Sequence, residues 1–167
     1  MNEPKKLLVP VDFSPCSAHA LRYAAFLADS WGAEVGVAYV WEPPLTPSDD
    51  PTADIPYEAQ EFQSQAAARL YADLDQFIQG AHFPEGVKVT RKILRGDPKK
   101  RIVEEAVDAD YDMLLLGTHG RKGLERLLLG SVAEWVVRHA DVPVMVVPPD
   151  RNQQAAAISE SLPVIPI

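Results

Sequence analysis

Residues 113–139 read MLLLGTHGRKGLERLLLGSVAEWVVRH, and this stretch decides the fold prediction. The apolar run at its start predicts a buried strand over 113–117, and its end predicts a helix from about residue 132 to 139. Gly117 ends the strand, and the loop that follows carries Gly120 and Gly130 together with an excess of positive charge from Arg121, Lys122 and Arg126. Glycine lets a ligand come close to the backbone, and the free N–H groups at a helix start favour an anion. The stretch therefore predicts a cradle for phosphate groups.

The single glycines also have a simpler interpretation, because glycine often does no more than turn a loop. Ser131 and Glu134 fit a capping box, which needs no ligand. The spacing Gly117-x2-Gly120-x9-Gly130-Ser131 contains no Gly-Lys-Ser/Thr of a P-loop and no dinucleotide-binding fingerprint. The phosphate-binding prediction depends on the combination of strand, basic loop and helix.

This glycine spacing resembles the ATP-binding signature of universal stress proteins. Three further segments are similar to strands of that family: LLVPVDFS at 7–14 resembles its first strand and turn, VGVAYV at 35–40 its second strand, and PVMVV at 143–147 its last. The resemblance covers roughly residues 5–148. It implies a universal stress protein domain over residues 1–149, followed by a C-terminal tail at 150–167.

Composition limits the class of protein. The chain has 167 residues, 47% of them hydrophobic, which predicts one globular domain with a sizeable core. A net charge of −8 argues against nucleic-acid binding. The apolar runs are too short for a membrane span or a signal peptide, and the single cysteine, Cys16, fits a reducing compartment and a small buried role. We expect a cytoplasmic protein without a membrane or nucleic-acid partner.

Five apolar segments alternate with four helical ones, which predicts an α/β fold with a parallel sheet and helices on both faces. The predicted strands are 7–11, 34–40, 87–93, 113–117 and 143–147. The predicted helices are 15–30 with Ser14 as cap and Gly32 as stop, 57–80, 98–109 with Ile102, Val103, Ala106 and Val107 inward, and 132–139. Residues 42–56, with five prolines and four acids, are predicted to form a loop.

Ligands of such sheets bind at the carboxyl ends of the strands, where the strand order reverses. The family resemblance implies a Rossmann-like fold, similar to adenine nucleotide alpha hydrolases, with strand order 3-2-1-4-5. This order would place strands 1 and 4 side by side. Asp12 and Gly117 would then face one crevice.

The resemblance also implies roles for individual residues. Pro10, Val11 and Asp12 would surround the nucleoside, Val40 would meet adenine, and Gly117 would approach the ribose. Gly120, Gly130, Ser131 and Val132 would contact the phosphates. His119 and Arg121 are weaker candidates, because a solvated loop also accounts for them, as it does for Lys122 and Arg126. Asp12 could accept a ribose hydroxyl, help to hold Mg²⁺, or cap the turn at Ser14-Pro15.

The loop offers no obvious general base, so the sequence predicts no catalytic residue. The leading hypothesis is an ATP-binding, nucleotide-dependent stress-response regulator that signals to a protein partner. The alternatives are a slow ATPase, or an interaction module that binds AMP or no nucleotide.

Two expectations concern assembly. In relatives the edge of the last strand, here Val144–Val147, commonly builds a two-fold dimer, and we expect a homodimer. The tail ends in Leu162-Pro-Val-Ile-Pro-Ile167, where two prolines exclude a helix. We expect this apolar end to dock on its own or a partner subunit rather than fray.

Overall fold

The computed structural model describes residues 3–42, 57–118 and 129–150, without the side chains of helix residues 57–64. The predicted loop at 42–56, apart from residue 42, and the predicted tail at 150–167, apart from residue 150, lie outside these residues. The described elements alternate strictly between strand and helix. In chain order they are β1 Lys6–Val11, α1 Pro15–Trp31, β2 Glu34–Trp41, α2 Tyr57–Gln79, β3 Val89–Arg95, α3 Pro98–Asp108, β4 Met113–Gly117, α4 Ser131–His139 and β5 Val144–Val147.

The five strands form one parallel sheet in the order β3-β2-β1-β4-β5, which confirms the predicted topology. β1 pairs with β2 along its whole length, from Lys6 opposite Glu34 to Val11 opposite Tyr39. The order reverses between β1 and β4, which are adjacent in the sheet although two strands and three helices separate them in sequence. The carboxyl ends of these two strands therefore mark the place where a ligand is expected.

Each face of the sheet is covered by two helices, and each face has its own apolar core. α1 and α2 pack on one face, where their buried residues meet alternate positions of the strands: Leu21, Ala24, Ala28 and Leu74 with Leu7, Val9, Val35 and Val37. α3 and α4 pack on the other, where the core is formed by Ile102, Ala106, Ala133 and Val136 with Leu8, Ala38 and Leu114. This two-sided burial explains why the strands read as nearly continuous apolar runs.

Helix α1 begins and ends as predicted. The Ser14 Oγ accepts a hydrogen bond from the Ser17 N–H at 3.2 Å, and Pro15 occupies the first helical position. Gly32 ends the helix in a left-handed conformation with φ 60°. Since Cys16 is half-buried rather than buried, the expectation of a core position for it was wrong.

Two other details differ from the prediction. β3 was predicted over 87–93 but spans Val89–Arg95. It begins two residues later because Val87 belongs to the preceding turn, where its N–H donates to the Pro84 carbonyl at 3.3 Å. Val107 was predicted to face inward but is 50% exposed. It lies roughly 140° around α3 from the buried Ile102, which places it outside the packed face.

A polar cluster lies between α3 and the sheet. The Glu105 carboxylate is largely buried and accepts a hydrogen bond from the Lys92 ammonium at 2.5 Å. Burial raises the pKa of the Tyr111 phenol, and the hydrogen bond to Glu105 raises the pKa of Lys92. The Tyr111 ring lies against Gly36 so closely that any Cβ at position 36 would overlap the phenol. The cluster is structural, because its residues lie away from the carboxyl ends of β1 and β4.

Candidate functional site

The crevice between β1 and β4 begins at Pro10. The Asp112 N–H donates to the Lys6 carbonyl at 2.8 Å, so Lys6, Leu8 and Pro10, on alternate positions of β1, direct their backbone groups towards β4. Pro10 has no N–H to donate. The recorded pairing of β1 with β4 accordingly stops at Leu8 opposite Leu114. β1 and β4 are thus not paired with each other at their carboxyl ends, where a ligand would enter, although each stays paired with its other neighbour.

Asp12 lies directly after β1 and organises the turn into α1. Its Oδ1 accepts a hydrogen bond from the Ser14 N–H at 3.1 Å. Its own N–H lies 3.4 Å from the Ser17 Oγ, and that hydroxyl donates to the Ser14 carbonyl at 3.0 Å. The capping role of Asp12, one of three alternatives from the sequence, is therefore present in the structure. The carboxylate is half-buried and is held at the mouth of the crevice.

Gly117, the last residue of β4, lies against the first turn of α1. A Cβ at this position would be 2.8 Å from the Cys16 carbonyl carbon, and 2.9 Å from both its Cβ and its carbonyl oxygen. Real Cβ atoms almost never come this close, so only glycine fits. The contact joins the Asp12 turn to the end of β4, which brings the two predicted halves of the site together.

The glycine loop is closed at its base. The Gly130 N–H donates to the Thr118 carbonyl at 2.7 Å, and the Thr118 N–H donates to the Val147 carbonyl at 3.1 Å. The segment between Thr118 and Gly130 therefore starts and ends at one point beside the carboxyl end of β4. His119, Gly120 and Arg121 of the predicted site, with Lys122 and Arg126, belong to residues 119–128 and lie outside the described part of the chain.

Helix α4 starts at this closed base with Gly130 as its N-cap. No side chain caps it, and the Glu134 carboxylate pairs with Arg138 at 2.9 Å instead. The capping-box interpretation of Ser131 and Glu134 was wrong, because Ser131 is already the first helical residue. The start of α4 therefore directs N–H groups, including that of Val132, towards the space above β4.

The remaining predicted residues lie at the same edge of the sheet. Val11 ends β1, and continuing the register of β1 and β4 by three residues places it beside Gly117. Val40 lies near the end of β2, opposite Leu94, and packs against the α3–α4 core. Of the part of the chain that the structure describes, no three His, Cys, Asp or Glu side chains gather to hold a metal ion. Asp12 alone would not form a metal site.

Sequence reasoning missed an aromatic group beside the crevice. Phe13 adopts φ 62°, unusual for a residue with a large side chain, and its ring packs 4.8 Å from that of Tyr39 and 5.4 Å from that of Phe77. The left-handed residue turns the chain between the end of β1 and α1. Phe13 also lines an open groove of about 520 Å³ between α1 and α2. No sequence signal marks this conformation, because it depends on rings from two distant elements.

These features define a doubly wound α/β protein with a candidate ligand crevice at the point where strand order reverses. The profile of the universal stress protein family matches residues 3–148, and the chain belongs to that family. Universal stress protein MJ0531 of Methanocaldococcus jannaschii is 35% identical over 144 residues, which are 86% of this chain and 81% of the relative.

Solved structures agree on the fold. UspA from Lactobacillus plantarum superposes with a TM-score of 0.71 at 27% identity, covering 88% of this chain and 99% of that one. A family member from Arabidopsis thaliana, solved with AMP bound, has a TM-score of 0.60 at 21% identity and covers 90% of this chain and 95% of its own. Within the described residues, no helix is long and apolar enough to cross a membrane.

Proposed function

We propose that this universal stress protein binds an adenine nucleotide, ATP with Mg²⁺ in the first place, in the crevice between β1 and β4. The observation that carries the proposal is the closed base of the glycine loop, Thr118 to Gly130 at 2.7 Å, beside a helix start without a side-chain cap. Such a helix start offers backbone donors and a favourable potential to a phosphate group. The fold neighbour with AMP bound supports the choice of adenine nucleotides.

Each predicted residue would act through a different part of the nucleotide. The base and ribose would lie along the carboxyl ends of β1 and β2, near Val11, Asp12 and Val40. The phosphates would lie towards Gly130 and Ser131, with His119, Gly120 and Arg121 contributing from the loop. Mg²⁺ in proteins is commonly held by one or two carboxylates together with substrate phosphates. Asp12 is the carboxylate at the mouth of the crevice and would serve as that ligand.

The biological role that follows is regulation in the cytoplasm rather than turnover. Nucleotide binding would change the surface around the base of the loop, at Thr118 and Gly130, and a protein partner would recognise that surface. β5 is an edge strand whose Val144, Met145 and Val146 are only half-buried, which favours a homodimer through this edge. Sedimentation of the wild type and of Val146→Lys tests the dimer, because a lysine on an edge strand opposes pairing.

A thermal-shift titration with ATP, ADP, AMP and cyclic AMP, each with and without Mg²⁺, tests nucleotide binding. A ligand at a hundredfold excess over its Kd adds about 2.7 kcal/mol to the free energy of unfolding. For a chain of this size, the melting temperature should rise by about 5–10 °C. Gly130→Val should lose this rise, whereas Val107→Ala, at an exposed position near the end of α3, should keep it.

The other outcomes identify the alternatives. A larger rise with AMP than with ATP would make this protein an AMP-binding module. Steady phosphate release that Asp12→Asn abolishes would make it a slow ATPase. A flat response to all four nucleotides, with the protein folded, would overturn the proposal.

A further inference from the structure

The chain that leaves β5 runs along the outer side of α1. The Pro148 carbonyl accepts a hydrogen bond from the His19 Nδ1–H at 2.7 Å. Two residues later, Asp150 pairs with the Arg22 guanidinium at 3.8 Å. Since His19 precedes Arg22 by about one turn of α1, residues 148–150 travel along this helix in its own N-to-C direction. The two contacts place the start of the tail on α1 and define the direction in which the chain runs.

The surface ahead of Asp150 is aromatic. Tyr23 is 46% exposed and Phe26, one turn beyond Arg22, is 66% exposed. The Tyr23 ring makes an edge contact with that of His19 at 5.4 Å, so the aromatic surface is continuous with the anchor of residue 148. We call Tyr23 and Phe26 the α1 aromatic pair. Covering these two neighbouring rings would remove apolar surface from water and so stabilise the fold.

We propose that residues 151–167 of the same subunit pack along α1 and cover the α1 aromatic pair. Phe26 lies about 6 Å beyond Arg22 along the helix axis. An extended chain covers up to about 3.3 Å per residue, so the tail reaches the level of Phe26 within a few residues of Asp150. Its apolar residues, Ala155–Ala157, Ile158 and the final Leu162–Ile167, supply the covering side chains.

The same subunit is the favoured source of this segment for a geometric reason. The Asp150–Arg22 and Pro148–His19 contacts already hold the tail within one turn of the aromatic pair, so cis docking closes a very short connection. A short tether gives the attached segment a high effective concentration. A segment of another copy would have to compete with it. The proposal does not depend on nucleotide binding.

The first test compares Phe26→Ala in the full chain and in a chain that ends at Asp150. An exposed helical Phe→Ala replacement should by itself leave stability unchanged or raise it slightly, because alanine is the better helix former. In the full chain, the same replacement should lower the melting temperature by at least about 2 °C, because contacts of the tail are lost. In the chain that ends at Asp150, Phe26→Ala should not lower the melting temperature. Val137→Ala, at a 46% exposed position on α4, is the matched control and should behave alike in both chains.

A second measurement uses trypsin, since Arg151 is the single basic residue of the tail. Cleavage after Arg151 should be several-fold faster in Phe26→Ala than in the wild type, and unchanged in Val137→Ala. Equal effects of Phe26→Ala on melting in the full and truncated chains would overturn the proposal. The proposal would also be overturned if dilution of the protein removed both the protection of Arg151 from trypsin and the dependence of the Phe26→Ala effect on the tail. That result would show that the tail covers a second copy of the chain.

Discussion

Replacing Gly117 with alanine should destabilise the protein through a contact that has nothing to do with a ligand. The new Cβ would stand 2.8–2.9 Å from three atoms of Cys16, two of them backbone. Carbon atoms pack best at about 3.5–4.0 Å, so β4 and α1 must separate by more than half an ångström. The first turn of α1 cannot easily yield, because hydrogen bonds from Ser14 to Asp12 and between Ser14 and Ser17 hold it.

Overpacking of this kind costs about 1–3 kcal/mol, and the loss of chain freedom in the unfolded state returns about 0.4–1 kcal/mol. The expected net loss is about 1–2 kcal/mol, equivalent to a fall in melting temperature of about 2–8 °C. Urea unfolding followed by circular dichroism measures this loss. Gly80→Ala is the matched control, because its Cβ would meet the Phe77 carbonyl at an ordinary 3.4 Å. Equal urea midpoints for the two variants would refute the packing argument.

Three further predictions concern the polar cluster beneath α3. Lys92→Met should cost about 1–3 kcal/mol in urea unfolding, because it leaves the buried Glu105 carboxylate without its hydrogen-bond donor. The double variant Lys92→Met with Glu105→Gln should recover most of this loss, and an unrecovered loss would contradict the argument. Gly36→Ala should cost about 3 kcal/mol or prevent folding, because its Cβ overlaps the Tyr111 phenol, and wild-type stability would contradict this. Burial raises the pKa of Tyr111, so the contribution of its neutral phenol to the free energy of unfolding is complete below about pH 10 and is lost as the pH rises through the folded pKa. The fall in the free energy of unfolding at alkaline pH should therefore be smaller in Tyr111→Phe than in the wild type. Equal falls would refute this.

The fold could be predicted almost completely from the sequence. Apolar runs placed each strand to within two residues, and capping residues such as Ser14 and Gly32 defined α1 at both ends. The strand order was implied by the family resemblance and not by periodicity, because hydrophobic pattern does not say which strands are neighbours. Val107 shows where hydrophobic periodicity fails to predict burial, because an apolar residue next to the packed face of a helix can remain exposed near the helix end.

The sequence predicts where the candidate site lies, but not its physical detail. Glycine spacing indicated where the ligand crevice lies, and the structure brings the Asp12 turn, Gly117 and the start of α4 to that place. Three features could be seen only in the folded structure: the gap that Pro10 opens beside β4, the left-handed Phe13, and the contact of Gly117 with Cys16. Each depends on elements far apart in sequence, so no local pattern carries it.

Gly117 and Gly130 therefore have different structural roles, and this difference decides what a substitution at each position can show. Gly117 is required by the packing of β4 on α1, so a Gly117 variant that fails to bind nucleotide is also one whose crevice has been forced open. Gly130 is the N-cap of α4, with an ordinary φ of −60° that other residues adopt. A side chain there would stand at the start of α4 without straining the backbone. Loss of binding in Gly130→Val with unchanged urea stability would separate a ligand contact from a folding defect, a distinction that no substitution at Gly117 can make.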